Sequence, residues 1–298
     1  GFPVLTLQNP QARVQTLDQA LNFSLADVDR SVASVGDPQP VHVALARDAL
    51  GRLDGLLNDA AHSLEGAQAL VYGLLLSANA ALRDQQLALL KPTIDARLDD
   101  RLRRLIAPLQ RLDQDLRLPL IDLAIPALKQ MDKPAISVFK ANMTLLIKAD
   151  HKVELLEWTL LRIVERSLDA PRPRQARYDL TQMGDDVAIL LSALAKAGHS
   201  DAAQAQAAFN QARESLPLPL AGIELNTAAG LKTVALSVSR LNLLWPLQKP
   251  QLLKAMARCI EHDGQVTAAE AELMRAVADV LDCPLPPIAA TAGLNHAF

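Results

Sequence analysis

The chain has 298 residues, a formal net charge of −3 and 50% hydrophobic residues, so it is long enough to bury a substantial core. Aromatic residues make up only 3%, with 12 glycines and 18 prolines, a composition that argues against collagen-like, disordered and all-β chains. Because the balance of charge is slightly acidic, we expect no nucleic-acid partner. These features predict an all-α fold, a multi-helix bundle or array.

Helical spacing of apolar residues begins after the turn-rich sequence 36–40, which reads Gly-Asp-Pro-Gln-Pro. We therefore expect an N-terminal linker over residues 1–40 and an N-terminal helical domain over 41–118. The apolar stretch 67–82 is interrupted by polar residues and is shorter than the roughly 20 residues of a membrane span. It predicts one core helix.

The clearest amphipathic segment is 94–116, in which isoleucine and leucines recur at steps of three and four. Pro108 is expected to kink this helix or to split it in two. Further helices are predicted downstream at 119–131, 135–149, 155–168, 181–197, 201–215, 220–240, 251–262 and 268–281.

A change of composition separates two halves of the helical part. Pro171, Arg172, Pro173 and Arg174 indicate an exposed basic linker. The segment 171–244 is accordingly predicted to hold this basic linker and a helical insert.

One sequence pattern occurs twice. The pattern D-x-x-V-x-x-x-E-x-x-L-x-R-x-V-x-x-x-L-D covers residues 150–169 and recurs 113 residues later over 263–282. In each copy a helix is expected to end near the first Asp, and a second helix to begin just before the Glu. Thr267 and Glu270 predict a capping box in the second copy, whereas Glu154 replaces the Thr in the first, which predicts a looser helix start there.

Each copy therefore predicts a helix–turn–helix pair. The first repeat is assigned to residues 119–170, and the second repeat, with a non-helical tail, to residues 245–298.

The acids of the two copies are the residues best suited to bind a metal ion: Asp150 with Glu157, and Asp263 with Glu270. A hard cation such as Ca²⁺ requires about six oxygen ligands or more. A calcium-binding loop also has acidic residues at its third and fifth positions, and neither copy has both. Helix capping is therefore the favoured interpretation of these acids.

The chain lacks H-E-x-x-H, G-x-S-x-G, Walker and G-x-G-x-x-G sequences. We therefore predict no catalytic residue and no cofactor within this chain. Cys259 and Cys283 match no metal-binding spacing and are expected to be buried thiols in a reducing compartment. Core or anchor positions are expected for the tryptophans and tyrosines: Tyr72, Trp158, Tyr178 and Trp245.

The duplicated acidic turn followed by a Glu-bearing helix resembles the tellurite-resistance TerB-like helical domain. More broadly, residues 30–287 are similar to the region that follows the catalytic domain in bacterial HtpX-type membrane zinc metallopeptidases, metallopeptidase family forty-eight. The stretches that carry this second resemblance are 35–38, 69–76, 118–128, 149–158 and 278–287.

The resemblance implies a non-catalytic C-terminal regulatory or protein-interaction region of a membrane-bound zinc metallopeptidase. The parent would hydrolyse peptide bonds, and zinc is expected in a catalytic domain that this chain lacks. The expected partners are the parent's own peptidase domain and membrane segments, together with a protein or peptide. The parent is expected to be anchored in the inner membrane, with this region soluble on the cytoplasmic side.

Two alternatives remain open at this point. The chain is otherwise a stand-alone TerB-like module that senses metal or stress, or a helical scaffold for self-association.

Overall fold

The structure, a computed structural model, describes residues 51–150, 153–169, 175–217, 220, 222–226, 230–264 and 266–283. These residues form twelve α-helices and short 3-10 turns, and none of them belongs to a strand. The predicted all-α class is therefore confirmed. The predicted linker 1–40, tail 284–298 and basic residues 171–174 lie outside the described residues.

The described residues divide into two compact units, over 51–169 and 175–283. The division into five segments predicted from the sequence stays a prediction. The helices of the first unit are α1 (Gly55–Ala61), α2 (Leu64–Leu75), α3 (Ala80–Leu90), α4 (Ala96–Gln110), α5 (Arg117–Leu128), α6 (Lys133–Ile147) and α7 (Leu155–Leu168).

Helix α2 is the central helix of the first unit, because it packs against α1, α4, α5 and α6. Its sequence is almost entirely apolar, as expected for a helix enclosed on most sides. Gly73 lies against α4, where an added Cβ would stand 2.3 Å from Leu109 Cδ1. The absence of a side chain at Gly73 therefore sets how closely α2 and α4 approach.

The predicted single helix over 67–82 is wrong, because the structure breaks it into α2 and α3. The Asn79 side chain accepts a hydrogen bond from Leu82 N at 3.1 Å and starts the new helix. The buried Gln86 fixes the turn, since its Oε1 accepts from Ser77 N at 2.8 Å and its Nε2 donates to Leu75 O at 3.0 Å.

The amphipathic segment 94–116 forms a shorter helix than its spacing suggests. Asp95 caps α4 at its start, and α4 ends at Gln110 with Pro108 in its last turn. The segment is thus split beyond Pro108, and a 3-10 turn follows at Gln114–Leu116. The predicted apolar stripe is buried, at Leu98, Leu102, Leu105 and Leu109.

The second unit is built around one central helix as well. Its helices are α8 (Gly184–Gly198), α9 (Ala202–Glu214), α10 (Leu231–Leu241), α11 (Lys249–Ile260) and α12 (Ala268–Val280). Helix α8 packs against each of the other four, and it buries nine of its residues.

The predicted helix over 220–240 is wrong in its first half, since the described residues between 220 and 230 are not α-helical. Asn226 N donates to the buried Ser192 Oγ at 2.8 Å, and Lys196 Nζ donates to Asn226 O at 2.9 Å. These bonds hold the chain against α8, and α10 begins only at Leu231.

The two units share a plan of helix packing that is wider than the repeat found in the sequence. In the first unit α2 packs on α5 and α6, α6 packs on α3 and α7, and α5 packs on α7. In the second unit α8 packs on α10 and α11, α11 packs on α9 and α12, and α10 packs on α12. The five helices therefore correspond in order, and α1 and α4 are the additional helices of the first unit.

Candidate functional site

The two copies of the sequence repeat fall on equivalent elements, α6–turn–α7 and α11–turn–α12. In the second copy Thr267 N donates to Glu270 Oε2 at 2.8 Å, and Glu270 N donates to Thr267 Oγ1 at 3.2 Å. This is the capping box predicted from the sequence. In the first copy Glu154 takes the place of the Thr in the same reciprocal arrangement, and its N–H donates to Glu157 Oε2 at 2.8 Å. The expectation that the first copy starts more loosely stays a prediction.

Glu270 is the most deeply buried of the predicted acids, with an exposed fraction of 1%. Its Oε2 accepts both bonds from Thr267, while its Oε1 is buried and lacks a hydrogen-bond partner among the described residues. That oxygen lies against the last residue of α8, Gly198, where an added Cβ would stand only 2.0 Å from it. Glycine at 198 therefore makes room for the carboxyl group.

Burial has a strong electrostatic effect on this carboxyl group. It raises the pKa of Glu270 to about 7, the negative charge of Asp263 adds to the rise, and the bonds from Thr267 oppose it. Burial also raises the pKa of the nearby Cys259 thiol, and the charge of Glu270 raises it further. Glu270 thus exchanges a proton near neutral pH.

Two histidines, His199 and His262, belong to the same region. His199 follows α8, its side chain is only 6% exposed, and its Nδ1 lies 3.6 Å from Asp263 Oδ2. Its ring meets the edge of the His262 ring, with centroids 5.8 Å apart, and His262 Nδ1 lies 2.9 Å from Gln211 Oε1. We call Gly198, His199, His262, Asp263 and Glu270 the acid–histidine cluster.

The surroundings of His199 favour its neutral form. Burial lowers its pKa, the adjacent Asp263 opposes the change, and His262 adds to it. Its Nε2 is buried and lacks a hydrogen-bond partner among the residues that the structure describes. The cluster therefore contains two buried polar atoms, His199 Nε2 and Glu270 Oε1, that no described residue hydrogen-bonds.

The first copy is less enclosed. Glu157 is half-buried, and burial raises its pKa to about 8, with the charges of Glu154 and Asp150 adding to the rise. The bond from Glu154 N opposes it. Asp150 lies at the turn after α6, as predicted, and residues 151–152 lie outside the described part of the chain.

Metal binding was the alternative chemistry for these acids. Over the described ranges, no group of three or more His, Cys, Asp or Glu side chains is arranged to hold a metal ion. What the geometry does provide is two helix-capping carboxyl groups, the buried Glu270 and the half-buried Glu157, and burial raises the pKa of both.

Both cysteines have the predicted surroundings. Cys259 and Cys283 are buried and are not joined by a disulfide.

A different surface feature lies in the second unit. Tyr178, Trp245 and Leu247 have exposed fractions of 41%, 51% and 88%, and we call them the apolar patch. Arg177 N donates to Leu243 O at 2.8 Å, and Trp245 N donates to Tyr178 O at 3.2 Å. These bonds place the two aromatic residues side by side along the backbone.

The sequence did not predict that these side chains are exposed together. Tyr72 and Trp158 are buried, as a core position requires, but Tyr178 and Trp245 are not. The only hint in the sequence is their position, since Tyr178 follows the Pro/Arg-rich stretch and Trp245 precedes a proline.

In the portions of the chain that the structure covers, no helix combines the length and the apolar character needed to cross a lipid bilayer. Comparisons of the chain with protein-family models, with curated proteins and with solved structures find no match.

Proposed function

We propose that this chain is a non-catalytic, helical protein-interaction region, and that it regulates a membrane-bound zinc metallopeptidase as the C-terminal part of that enzyme. Its partners are then the peptidase domain and membrane segments of the parent, and zinc belongs to that domain. The resemblance to the HtpX-type enzymes supports this assignment. The region is placed on the cytoplasmic side, where the unpaired Cys259 and Cys283 would stay reduced.

The observation that carries the proposal is the apolar patch. Large apolar side chains that stay exposed together are typical of surfaces that bind other proteins. Tryptophan and tyrosine are also the residues that contribute most often to binding energy at protein interfaces. By contrast, the repeated acids Glu157 and Glu270 are engaged in helix caps, which is a structural role.

An activity assay tests the non-catalytic half of the proposal. We expect the chain to purify without stoichiometric zinc and to leave denatured casein uncleaved, with or without added zinc. Robust proteolysis that EDTA abolishes would refute it.

A binding assay tests the other half. A peptidase domain of the proposed HtpX-type parent is titrated into the chain, and Trp245→Ala is expected to weaken binding. Leu56→Ala is the matched control, because Leu56 is 47% exposed but belongs to the first unit. An upstream sequence without H-E-x-x-H and without membrane spans would contradict the proposal.

A second candidate function is favoured by the acid–histidine cluster. A TerB-like module that senses metal or stress would use buried ligand atoms without protein partners, such as Glu270 Oε1 and His199 Nε2. Calorimetry with Ca²⁺, Mg²⁺ and Zn²⁺ distinguishes this candidate. Micromolar binding that Asp263→Ala abolishes would favour the sensor over the interaction region.

A scaffold for self-association is the remaining alternative. Light scattering over a concentration series tests it, and a chain that stays monomeric would exclude it.

A further inference from the structure

Helix α6 of the first unit has an exposed face that is apolar. Val138 and Leu145 have exposed fractions of 49% and 36%, and Ala141 between them is exposed as well. The three residues are spaced three and four apart, so they lie in one line along two turns of the helix, over about 11 Å. We call Val138, Ala141 and Leu145 the α6 stripe.

The equivalent helix of the second unit, α11, provides a comparison within the same chain. Positions 139, 142, 143, 146 and 147 are buried in α6, and the positions 113 residues later are all buried in α11, so the two helices have the same register. In this register the α6 stripe corresponds to Gln251, Lys254 and Arg258. Gln251 and Lys254 are exposed, and the Arg258 side chain is 35% exposed.

The comparison indicates that the fold does not require apolar residues on this face. Helix α11 packs its buried side in the same register while its exposed face is polar and basic. Leaving valine and leucine in water costs free energy that burial against another molecule recovers. An interface specific to the first unit accounts for the difference between the two helices.

The shape of the α6 stripe fits a second helix. Apolar residues that alternate at three and four positions form the seam along which one helix packs on another. Ala141 is the smallest of the three and stands between two larger side chains, which leaves room for an apolar side chain of the second helix to insert. A helix with the same apolar spacing is therefore complementary to the stripe.

The charges of α6 define the occupant further. The helix contains Lys133 and Lys140 and no acidic residue, and Lys148 follows its last residue. Lys140 is paired with Asp169, with Nζ and Oδ1 2.7 Å apart, whereas neither Lys133 nor Lys148 forms an ion pair within the described residues. These ammonium groups favour an occupant with acidic residues beside its apolar seam. They oppose a second copy, because antiparallel pairing of two α6 helices would bring Lys133 of one close to Lys148 of the other.

We propose that the α6 stripe binds an amphipathic helix of a partner protein whose apolar seam is flanked by acidic residues. The inference goes beyond the proposed function, because it gives the first unit an interaction surface of its own and names the class of partner. It does not depend on the apolar patch, which belongs to the second unit.

Binding of a synthetic probe to the full chain tests the proposal. The probe is a fluorescein-labelled peptide of three heptads, with leucine at positions a and d and glutamate at e and g, whose own copies repel one another. The control peptide has lysine in place of each glutamate. Fluorescence anisotropy is expected to show saturable binding of the acidic peptide that high salt weakens, and weaker binding of the basic peptide.

Two variants of the chain separate the apolar and the charged contributions. Val138→Gln with Leu145→Gln keeps the net charge, introduces the side chain that α11 carries at Gln251, and should weaken binding of the acidic peptide about tenfold or more. Lys133→Glu with Lys148→Glu should reverse the preference between the two peptides.

Two control variants lie in the second unit. Leu236→Gln is the matched control, because Leu236 is 57% exposed on α10, and it should leave binding unchanged. Trp245→Ala should leave it unchanged as well, so failure here is distinguishable from failure of the proposed function. Circular dichroism and thermal melting check that each variant is folded.

Three results would overturn the proposal. The first is a wild-type chain that binds neither peptide. The second is unchanged binding of the acidic peptide by the Val138→Gln, Leu145→Gln variant. The third is a wild-type dimer that this variant dissociates in sedimentation velocity, because a second copy would then be the occupant.

Discussion

Replacing Glu270 with Gln should change how the stability of the protein depends on pH. The carboxyl group is 1% exposed, and its Oε1 lacks a hydrogen-bond partner within the described residues. The folded protein therefore favours the neutral acid. Gln is neutral at every pH and still accepts the bond from Thr267 N, as glutamine does in other capping boxes.

The magnitude follows from the pKa of Glu270, which burial raises from 4.5 to about 7 in the folded protein. This difference corresponds to about 3 kcal/mol. Because the folded state binds the proton more tightly than the unfolded state, this stabilisation is fully present below pH 4.5 and is lost as the pH rises through about 7. The Gln variant lacks this loss, so its stability relative to the wild type should increase by about 3 kcal/mol between pH 4.5 and pH 8.

Urea unfolding at intervals from pH 5 to pH 8 measures this difference, since the free energy of unfolding is linear in urea. Glu65→Gln is the matched control, because Glu65 is an exposed carboxylate in the first turn of α2. A stability difference between Glu270→Gln and wild type that stays constant over this pH range would refute the reasoning.

Three further predictions concern packing. Gly198→Ala should destabilise the second unit by about 2 kcal/mol in a urea titration, because its Cβ would overlap Glu270 Oε1, although helix propensity alone favours Ala by about 1 kcal/mol. Lys249→Met should cost about 1–3 kcal/mol in the same assay, since the buried ammonium bonds two elements together. Trp158→Ala should cost about 3–5 kcal/mol, and Trp245→Ala less than about 1 kcal/mol, in thermal melting, because only Trp158 is buried.

Each of these three predictions is tested by comparison with a second variant or with the wild type. The cost of Gly198→Ala should disappear in a Glu270→Ala background, because the overlapping atoms are then gone. A cost that persists there would contradict the proposed contact. Equal costs for the two tryptophan variants would contradict the exposure of the patch, and a Lys249→Met variant as stable as the wild type would show that the buried bonds contribute nothing.

The repeat was readable from the sequence because its contacts are local. Thr267 and Glu270 are three residues apart, so their spacing alone predicts the capping box. The leucine spacing over 94–116 likewise gave the buried face of α4, since residues three or four apart lie on one side of a helix. The prediction that Pro108 kinks or splits this segment is confirmed, since α4 ends at Gln110 and residues 111–113 are not helical.

The site features that the sequence did not reveal depend on contacts between distant segments. Gly198 and His199 come from the end of α8, more than sixty residues before Asp263 and Glu270. The backbone N–H of Trp245 donates to Tyr178 O, which lies more than sixty residues earlier in the chain. No periodicity within one helix encodes either contact.

The sequence repeat covers only two helices of each unit, whereas five helices of each unit correspond in the structure. Five helices in each unit follow the same order and share five packing pairs, although α8 also packs on α9 and α12 and sequence similarity is visible only over 150–169 and 263–282. Helix packing tolerates exchange among apolar side chains of similar volume. A shared arrangement of helices therefore persists after sequence similarity is lost.

The protein-interaction role that we propose is tested most directly by a calorimetric titration of this chain with the peptidase domain of the proposed parent, held in detergent or a lipid nanodisc. We expect saturable binding that Trp245→Ala weakens by about thirtyfold, as for an aromatic residue buried at an interface, and that Leu56→Ala leaves unchanged. Binding that is indifferent to Trp245→Ala, or the absence of any binding heat, would contradict it.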